Sequence, residues 1–271
     1  MRAAVNKSEI LQKIDGRIIV ASISGGKDWS AMSLYLHELG IEHKRVFLDT
    51  GWEHPNTYEY IDQVLEPKLG KIERIKSDFT MVSLIRKKGM FPSRLIRFCT
   101  QELKVKPIIK YLESLDDEPV NAVGIRAQES AARSKLQSWE WQKGFDCEVW
   151  RPILDWKFEN VVEIHKKHGL QPNPLYLKGA ERVGCFPCIH ARKKEIKFIA
   201  EQMPERIDTI RELEKENGYT FFQGSKQRLQ IDDVVEWSKT ARGGKQFELF
   251  DATDDQAGCM RWGLCDLSKN E

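Results

Sequence analysis

Arg17-Ile18-Ile19-Val20-Ala21-Ser22-Ile23-Ser24-Gly25-Gly26-Lys27-Asp28-Trp29-Ser30 is the stretch whose reading decides the fold. Residues 17–22 are rich in β-branched side chains, the pattern of a strand buried on both faces. After Ser24-Gly25-Gly26-Lys27-Asp28, the apolar residues Ala31, Met32, Leu34, Tyr35, Leu36 and Leu39 recur at helical spacing. Two glycines between a buried strand and a helix let backbone N–H groups converge on an anion at the helix's positive end. Lys27 adds a point charge, and Ser24 and Ser30 add hydroxyls. The spacing is not that of a Walker A loop. An ordinary glycine-rich turn is the plainer alternative.

Working outward, residues 44–48 read as a second strand ending in Asp49-Thr50-Gly51, 56–69 as a helix and 72–75 as a third strand. Helical spacing returns over 80–88 and from about Cys99 to Leu112. A fourth strand is predicted at 120–124 and a fifth at 148–153, with a polar, aromatic loop or hairpin at 139–145. Helices are predicted at 159–168, 190–202, 204–216 and 231–239, and Ser8 reads as the cap of an N-terminal helix. Strands alternating with helices predict a Rossmann-like, doubly wound and mostly parallel α/β sheet with a helical C-terminal extension. The expected division is a nucleotide-binding domain over 1–190 and an extension over 191–271. Ligands of such sheets sit beyond the strands' carboxyl ends, which brings Asp49, Gly124, Arg126 and Arg133 into consideration. The two arginines suit bidentate phosphate or sulfate contacts, or lie on a solvated helix face.

Across 271 residues, 43 basic and 41 acidic side chains nearly cancel, so net charge names no partner. No stretch approaches the ~20 apolar residues of a membrane span, and a soluble, cytoplasmic protein with no membrane partner is expected. The cysteines are Cys99, Cys147, Cys185, Cys188, Cys259 and Cys265. Cys185 and Cys188 flank Phe186-Pro187, a spacing that places two thiolates on one metal centre, zinc and an iron–sulfur cluster being equally served. A redox dithiol is the alternative. Cys147 reads as a core thiol.

Five stretches in order resemble the phosphoadenosine phosphosulfate (PAPS) reductase family, a branch of the PP-loop ATP pyrophosphatase, or adenine-nucleotide α-hydrolase, superfamily. They are the loop at 24–30; Asp49-Thr50-Gly51 with Thr57-Tyr58-Glu59-Tyr60; Cys99-Thr100 with Leu103-Lys104 and Pro107; residues 124–133; and Pro152-Ile153-Leu154-Asp155-Trp156 through Asn173-Pro174-Leu175-Tyr176 and Gly179 to Gly184-Cys185-Phe186-Pro187-Cys188. The resemblance implies an adenine nucleotide held by Ser24, Gly25, Gly26, Lys27 and Ser30, near Asp49 and Gly124. Asp28 would place the loop or a Mg²⁺, and Arg126 and Arg133 would neutralise charge on phosphorus. It further implies a [4Fe–4S] cluster on Cys99, Cys185, Cys188 and a fourth thiolate, Cys265 ahead of Cys259, or else three ligands and one open iron.

Three departures bear on the activity. Trp29 stands where the family has serine, Thr100 replaces the second of two adjacent cysteines, and Arg261-Trp262-Gly263-Leu264-Cys265 has tryptophan in place of the reductases' tail nucleophile. The loop is nearer the ATP-cleaving form. The resemblance therefore implies cleavage of ATP to AMP and pyrophosphate for sulfur transfer, of the nucleic-acid thiolation or phosphorothioation type. Its partners would be a sulfur donor such as a cysteine desulfurase, a nucleic-acid acceptor and a second copy in a homodimer. The alternatives are a thiol-dependent sulfonucleotide reductase and a non-catalytic nucleotide-binding subunit. Arg97, Lys104 and Arg192-Lys193-Lys194 would offset an anionic cluster or hold a nucleic-acid backbone, the latter with Trp139, Trp141, Lys226 and Arg228.

Overall fold

A computed structural model describes residues 7–115, 117–222 and 229–240. In chain order the elements are α1 (Lys7–Ile14), β1 (Ile19–Ile23), α2 (Lys27–Glu38), β2 (Lys44–Asp49), α3 (Pro55–Tyr60), α4 (Glu66–Leu69), β3 (Ile72–Lys76), α5 (Met81–Lys88), α6 (Phe98–Thr100), α7 (Lys106–Glu113), β4 (Val120–Val123), β5 (Trp139–Gln142), β6 (Cys147–Trp150), α8 (Phe158–Lys167), α9 (Pro174–Leu177), α10 (Lys193–Gln202), α11 (Pro204–Asn217) and α12 (Ile231–Ser238). Wider π turns at Ile61–Leu65 and Gln101–Val105 interrupt the two helices that the sequence predicts as continuous. The predicted helical runs recur, with α10 beginning at Lys193 and not at 190.

The chain divides into two compact units, each assembled from separated segments. The first comprises the chain through Asp49, Pro55–Lys76 and Val105–Asn173; the second comprises Thr50–His54, Ser77–Lys104 and the chain from Pro174. The sequential boundary expected at residue 190 does not follow this pattern. Loops leaving the strands pack with the later helices, a long-range choice that local sequence does not encode.

The first unit is built on a six-stranded sheet of order β3-β2-β1-β4-β6-β5. All neighbours are parallel except β5, which runs antiparallel to β6 with Trp139 opposite Trp150. β1 is nearly all buried, as its unbroken apolar run requires. The order reverses between β1 and β4, the point at which doubly wound sheets open a ligand crevice. α2 packs along α8 and carries buried residues on almost every side, Trp29 to Leu34 and Leu36 among them. The fifth predicted strand is shorter than expected, ending at Trp150, and the expected loop or hairpin at 139–145 supplies the antiparallel edge.

The second unit is helical. Trp52, Phe91, Leu103, Phe186 and Phe221 form its centre, with α5, α10, α11 and α12 contributing Leu84, Ile199, Ile210 and Ile231. Thr80 caps α5 through a reciprocal box with Ser83, and Gly89 closes it in the left-handed region. Buried Glu214 of α11 accepts the backbone N–H groups of Phe221 and Ile231 at 2.9 and 2.8 Å, tying the chain entering α12 to α11. Burial nevertheless raises its carboxyl above the usual value. No helix among the described residues is long and apolar enough to cross a membrane.

Candidate functional site

The switch point carries the glycine loop. Gly25 has φ +70°, and a Cβ there would lie 2.7 Å from Thr57 Cγ2, so both conformation and space call for glycine. Gly26 is the N-cap of α2, and no side chain caps it. The first-turn N–H groups of α2 therefore face the loop with the positive end of the helix dipole behind them. Ser24 is exposed at the mouth.

Asp28 and Arg126 lock the loop from beside it. The Asp28 carboxylate accepts Lys27 Nζ at 3.0 Å on Oδ2 and Arg126 Nε on Oδ1. Burial would raise this carboxyl, but the Lys27 ammonium and Arg126 guanidinium together hold it below the usual carboxylate range. With each oxygen engaged by a cation, Asp28 ties Lys27 and Arg126 to the loop. Arg126 is buried and bound on two further sides. Its Nη1 donates to Gln128 Oε1 at 2.8 Å, and its backbone N–H to Glu129 at 3.0 Å. Gln128 Oε1 also accepts the N–H of Phe158 at 3.0 Å, anchoring the segment to α8. Gly124 makes the approach possible, since a Cβ would lie 2.9 Å from both Asp28 O and Trp29 Cα.

Ser30 departs from expectation. Its hydroxyl is wholly buried, 2.8 Å from His165 Nε2, to which it donates, and 3.1 Å from Lys27 O, so it braces the loop from within and is not offered to a phosphate. His165 Nδ1 meets Val161 O at 2.6 Å, which leaves Nε2 as the acceptor for Ser30. Burial lowers the His165 pKa to about 4, keeping it neutral. Sequence reasoning missed His165; the available signal was a histidine on the inward face of a predicted helix, four residues after Val161. Trp29 is buried at 2% exposure with no partner on its indole N–H among the described residues. Its bulk therefore lies in the core and leaves the loop mouth clear.

Asp49 ends β2, buried, and accepts Tyr58 Oη at 2.7 Å beside Lys76 Nζ at 3.3 Å. Arg133 stands on an exposed 3₁₀ turn and pairs with Glu129, the same carboxylate that holds the Arg126 backbone. Arg126 is thus built into the loop, whereas Arg133 is a surface cation.

In the second unit, Cys99 and Cys185 pack against one core, and the charges of Cys185 and Cys188 both act on Cys99. Burial pushes the Cys99 and Cys185 thiols up, and the Lys104 ammonium, hydrogen-bonded to Cys185, opposes the shift at that sulfur. The Cys185–Cys188 turn is fixed to the strand-exit segment: Phe186 N–H donates to Trp52 O and Trp52 Nε1 to Pro187 O, both at 2.9 Å. The donor chemistry, three thiols beside an ammonium, suits an iron–sulfur group. Among the described residues, however, no set of three or more His, Cys, Asp or Glu side chains is arranged to hold a metal. Cys259 and Cys265 lie outside those residues.

A basic patch adjoins this turn. Arg97, Arg94 and Arg182 all bear on His190, whose pKa is lowered first by burial and then by them. Leu95, between two of these arginines, is 96% exposed. Other residues expected to meet nucleic acid are otherwise engaged. Trp139 stacks on Trp150 at 4.9 Å, Lys193 donates to Thr240 at 2.7 Å, and Arg192 lies 3.7 Å from Glu181. Trp141 remains exposed, and Lys226 and Arg228 lie outside the described residues.

A six-stranded sheet whose switch point carries a glycine loop, an uncapped helix and fixed cations defines a nucleotide-binding α/β protein. Residues 18–191 match the phosphoadenosine phosphosulfate reductase domain, and the chain belongs to that family. It is 34% identical to an uncharacterised 37.8 kDa protein of Escherichia phage 186, over 93% of this chain and 98% of that one. It is 28% identical to the adenosine 5'-phosphosulfate reductase of Allochromatium vinosum, over 68% of this chain and 72% of the other. Of two Methanocaldococcus jannaschii proteins, each 29% identical, it spans 48% and 40% of the length. The fold is shared with the PAPS reductase of Candida auris in its phosphate complex, with a TM-score of 0.52 at 17% identity over 67% of this chain and 89% of that one.

Proposed function

We propose that this family member is a PP-loop enzyme that cleaves ATP to AMP and pyrophosphate and so activates an acceptor for sulfur transfer. The observation that carries this reading is the uncapped N-terminus of α2 behind Ser24-Gly25-Gly26, with Lys27 and Arg126 fixed on one carboxylate. An acceptor oxygen attacks the α-phosphorus, the bond to the bridging oxygen breaks, and pyrophosphate leaves with the electron pair. A sulfur nucleophile then displaces AMP at the activated centre. Backbone N–H groups of the loop and the Lys27 and Arg126 cations bear the charge that develops, Arg133 reaching in from the surface and Asp49 facing the nucleotide. Mg²⁺ would accompany the pyrophosphate.

Cys99, Cys185 and Cys188 would hold an iron–sulfur cluster, completed by Cys265 or Cys259, and such a group supplies a site for sulfide or an electron. The patch of Arg94, Arg97, Arg182 and His190 supports a polyanionic acceptor such as nucleic acid. Similarity to adenosine 5'-phosphosulfate reductases sustains a second reading, thiol-dependent reduction of a sulfonucleotide. ATP labelled at the α-phosphate decides between them. Labelled AMP with stoichiometric pyrophosphate, dependent on acceptor, is expected. Sulfite release from adenosine phosphosulfate with a thiol reductant, and no pyrophosphate from ATP, would overturn the first reading.

A further inference from the structure

The first unit has a second cleft, of about 410 Å³, lined by Leu34, His37, Arg45, Lys68, Leu69, Gly70 and His168. Arg45 enters β2 at its amino end, and His37 lies in the last turn of α2. The cleft therefore belongs to the opposite end of the sheet from the glycine loop, about 15 Å along α2 at 1.5 Å per residue.

Four of its lining residues are basic. Three follow from helix electrostatics alone: His37, Lys68 and His168 sit at the carboxyl ends of α2, α4 and α8, where cations offset the dipole. Arg45 has no such explanation. It is half-buried on a strand, and burial lowers its pKa. Nε donates to Ser33 Oγ at 3.3 Å and Nη1 to His43 O at 3.3 Å, both neutral acceptors. Among the described residues it has no carboxylate partner. Its direction is set from behind: Ser33 Oγ meets His43 Nε2 at 2.7 Å, and His43 Nδ1 meets Ile41 O at 3.0 Å. On the open side stands Gly70, at φ +92°, where a Cβ would lie 3.5 Å from Nη1. Glu38, the residue after the lining His37, already accepts Lys167 at 2.8 Å and His168 at 2.6 Å.

We propose that this cleft is a second anion site, in which Arg45, Lys68, His37 and His168 bind a phosphoryl group. A guanidinium held by neutral groups, in a cleft that Lys68 and two imidazoles also line, is matched by a tetrahedral oxyanion, with Arg45 donating a fork of N–H bonds and Lys68 a point charge. The ligand is a phosphate, free or carried by an oligonucleotide. The site is independent of the reaction proposed above.

The test uses the full chain with α,β-methylene ATP at saturation, so that the glycine loop is already filled. Inorganic phosphate is titrated while the imidazole Cε1–H NMR signals of His37 and His168 are followed. Both signals should move saturably, and Lys68→Glu and Arg45→Gln should each weaken the apparent affinity about tenfold or more. Lys68 is exposed, so its substitution tests the site should Arg45→Gln fail to fold. A short single-stranded oligonucleotide, with and without a 5'-phosphate, identifies the source. Binding of both forms, lost in Lys68→Glu, assigns a phosphodiester backbone; binding of the phosphorylated form alone assigns a terminal phosphate. Shifts reproduced by chloride at equal ionic strength, or no shifts with phosphate or either oligonucleotide, would overturn the proposal.

Discussion

Asp28 and His165 set the residue scale, because each holds the glycine loop by a different kind of force. Asp28 is the shared counter-charge of Lys27 and Arg126, and its folded pKa lies below the ordinary value. Its contribution is present at neutral pH and is lost only as acid takes the pH down through that depressed value. Asp28→Asn leaves two partly buried cations without an anion, a change that costs on the order of 3–5 kcal/mol in comparable pairs. A Tm fall with loss of ATP binding is the expected result by calorimetry; unchanged ATP affinity would show that the loop holds its shape without the pair. His165 behaves in the opposite pH range. Buried neutral with a pKa of about 4 against 6.5 when unfolded, it favours the fold fully above 6.5. As pH drops from 6.5 towards 4 the unfolded chain takes up the proton first and stability declines, by up to about 3 kcal/mol. His43 has the same values and adds a similar slope. Denaturant titrations across that range should therefore show a slope that His165→Gln reduces by about half.

Two glycines dominate the element scale. Gly124 ends the β4 segment against the first turn of α2, and any side chain there meets backbone at 2.9 Å. Backbone cannot swing aside as a side-chain tip does, so Gly124→Ala should displace the start of α2 from Arg126. ATP affinity is expected to fall at least tenfold while the helix content seen by circular dichroism stays unchanged. An ATP affinity equal to that of the native chain would mean that strand and helix have slack that the packing does not suggest. The thiol turn makes the complementary case in the helical unit. In metal-free protein, with Cys99 and Cys185 pushed above the usual thiol range by burial, iodoacetamide should modify them slowly at neutral pH and faster only as the solution becomes alkaline. Mass spectrometry after timed quenching measures this. Rapid neutral labelling would show that the Lys104 ammonium outweighs burial at Cys185.

At the scale of the whole molecule, the thiols carry a prediction of their own. Protein purified anaerobically should be brown, absorb broadly near ~400 nm and contain iron and acid-labile sulfide, as thiolate-ligated iron–sulfur proteins do. Colourless protein with stoichiometric zinc would remove the cluster and leave the nucleotide chemistry standing. The resemblance itself was legible in the chain, since five motifs in order announce the family without any coordinates. The sheet was legible too: β1 and the helix after it follow from an unbroken β-branched run, two glycines and a 3.6-residue period, all of them local signals. The antiparallel edge was harder. Trp139 and Trp141 read equally well as a polar loop, and only the stacking of Trp139 on Trp150 makes the first of them core.

Sequence by itself determined the glycine loop, the order of strands and helices and the pair of cysteines with two residues between them, because each is written in neighbouring residues. Tertiary structure alone decided the rest: that Ser30 faces His165, that Asp28 is shared between Lys27 and Arg126, that Arg45 meets no acid among the described residues, and that the chain forms two units, each from separated segments. These depend on which distant side chains arrive at a given buried position. Burial then fixes their charge state and hydrogen-bond partners, and residue spacing carries no information about that.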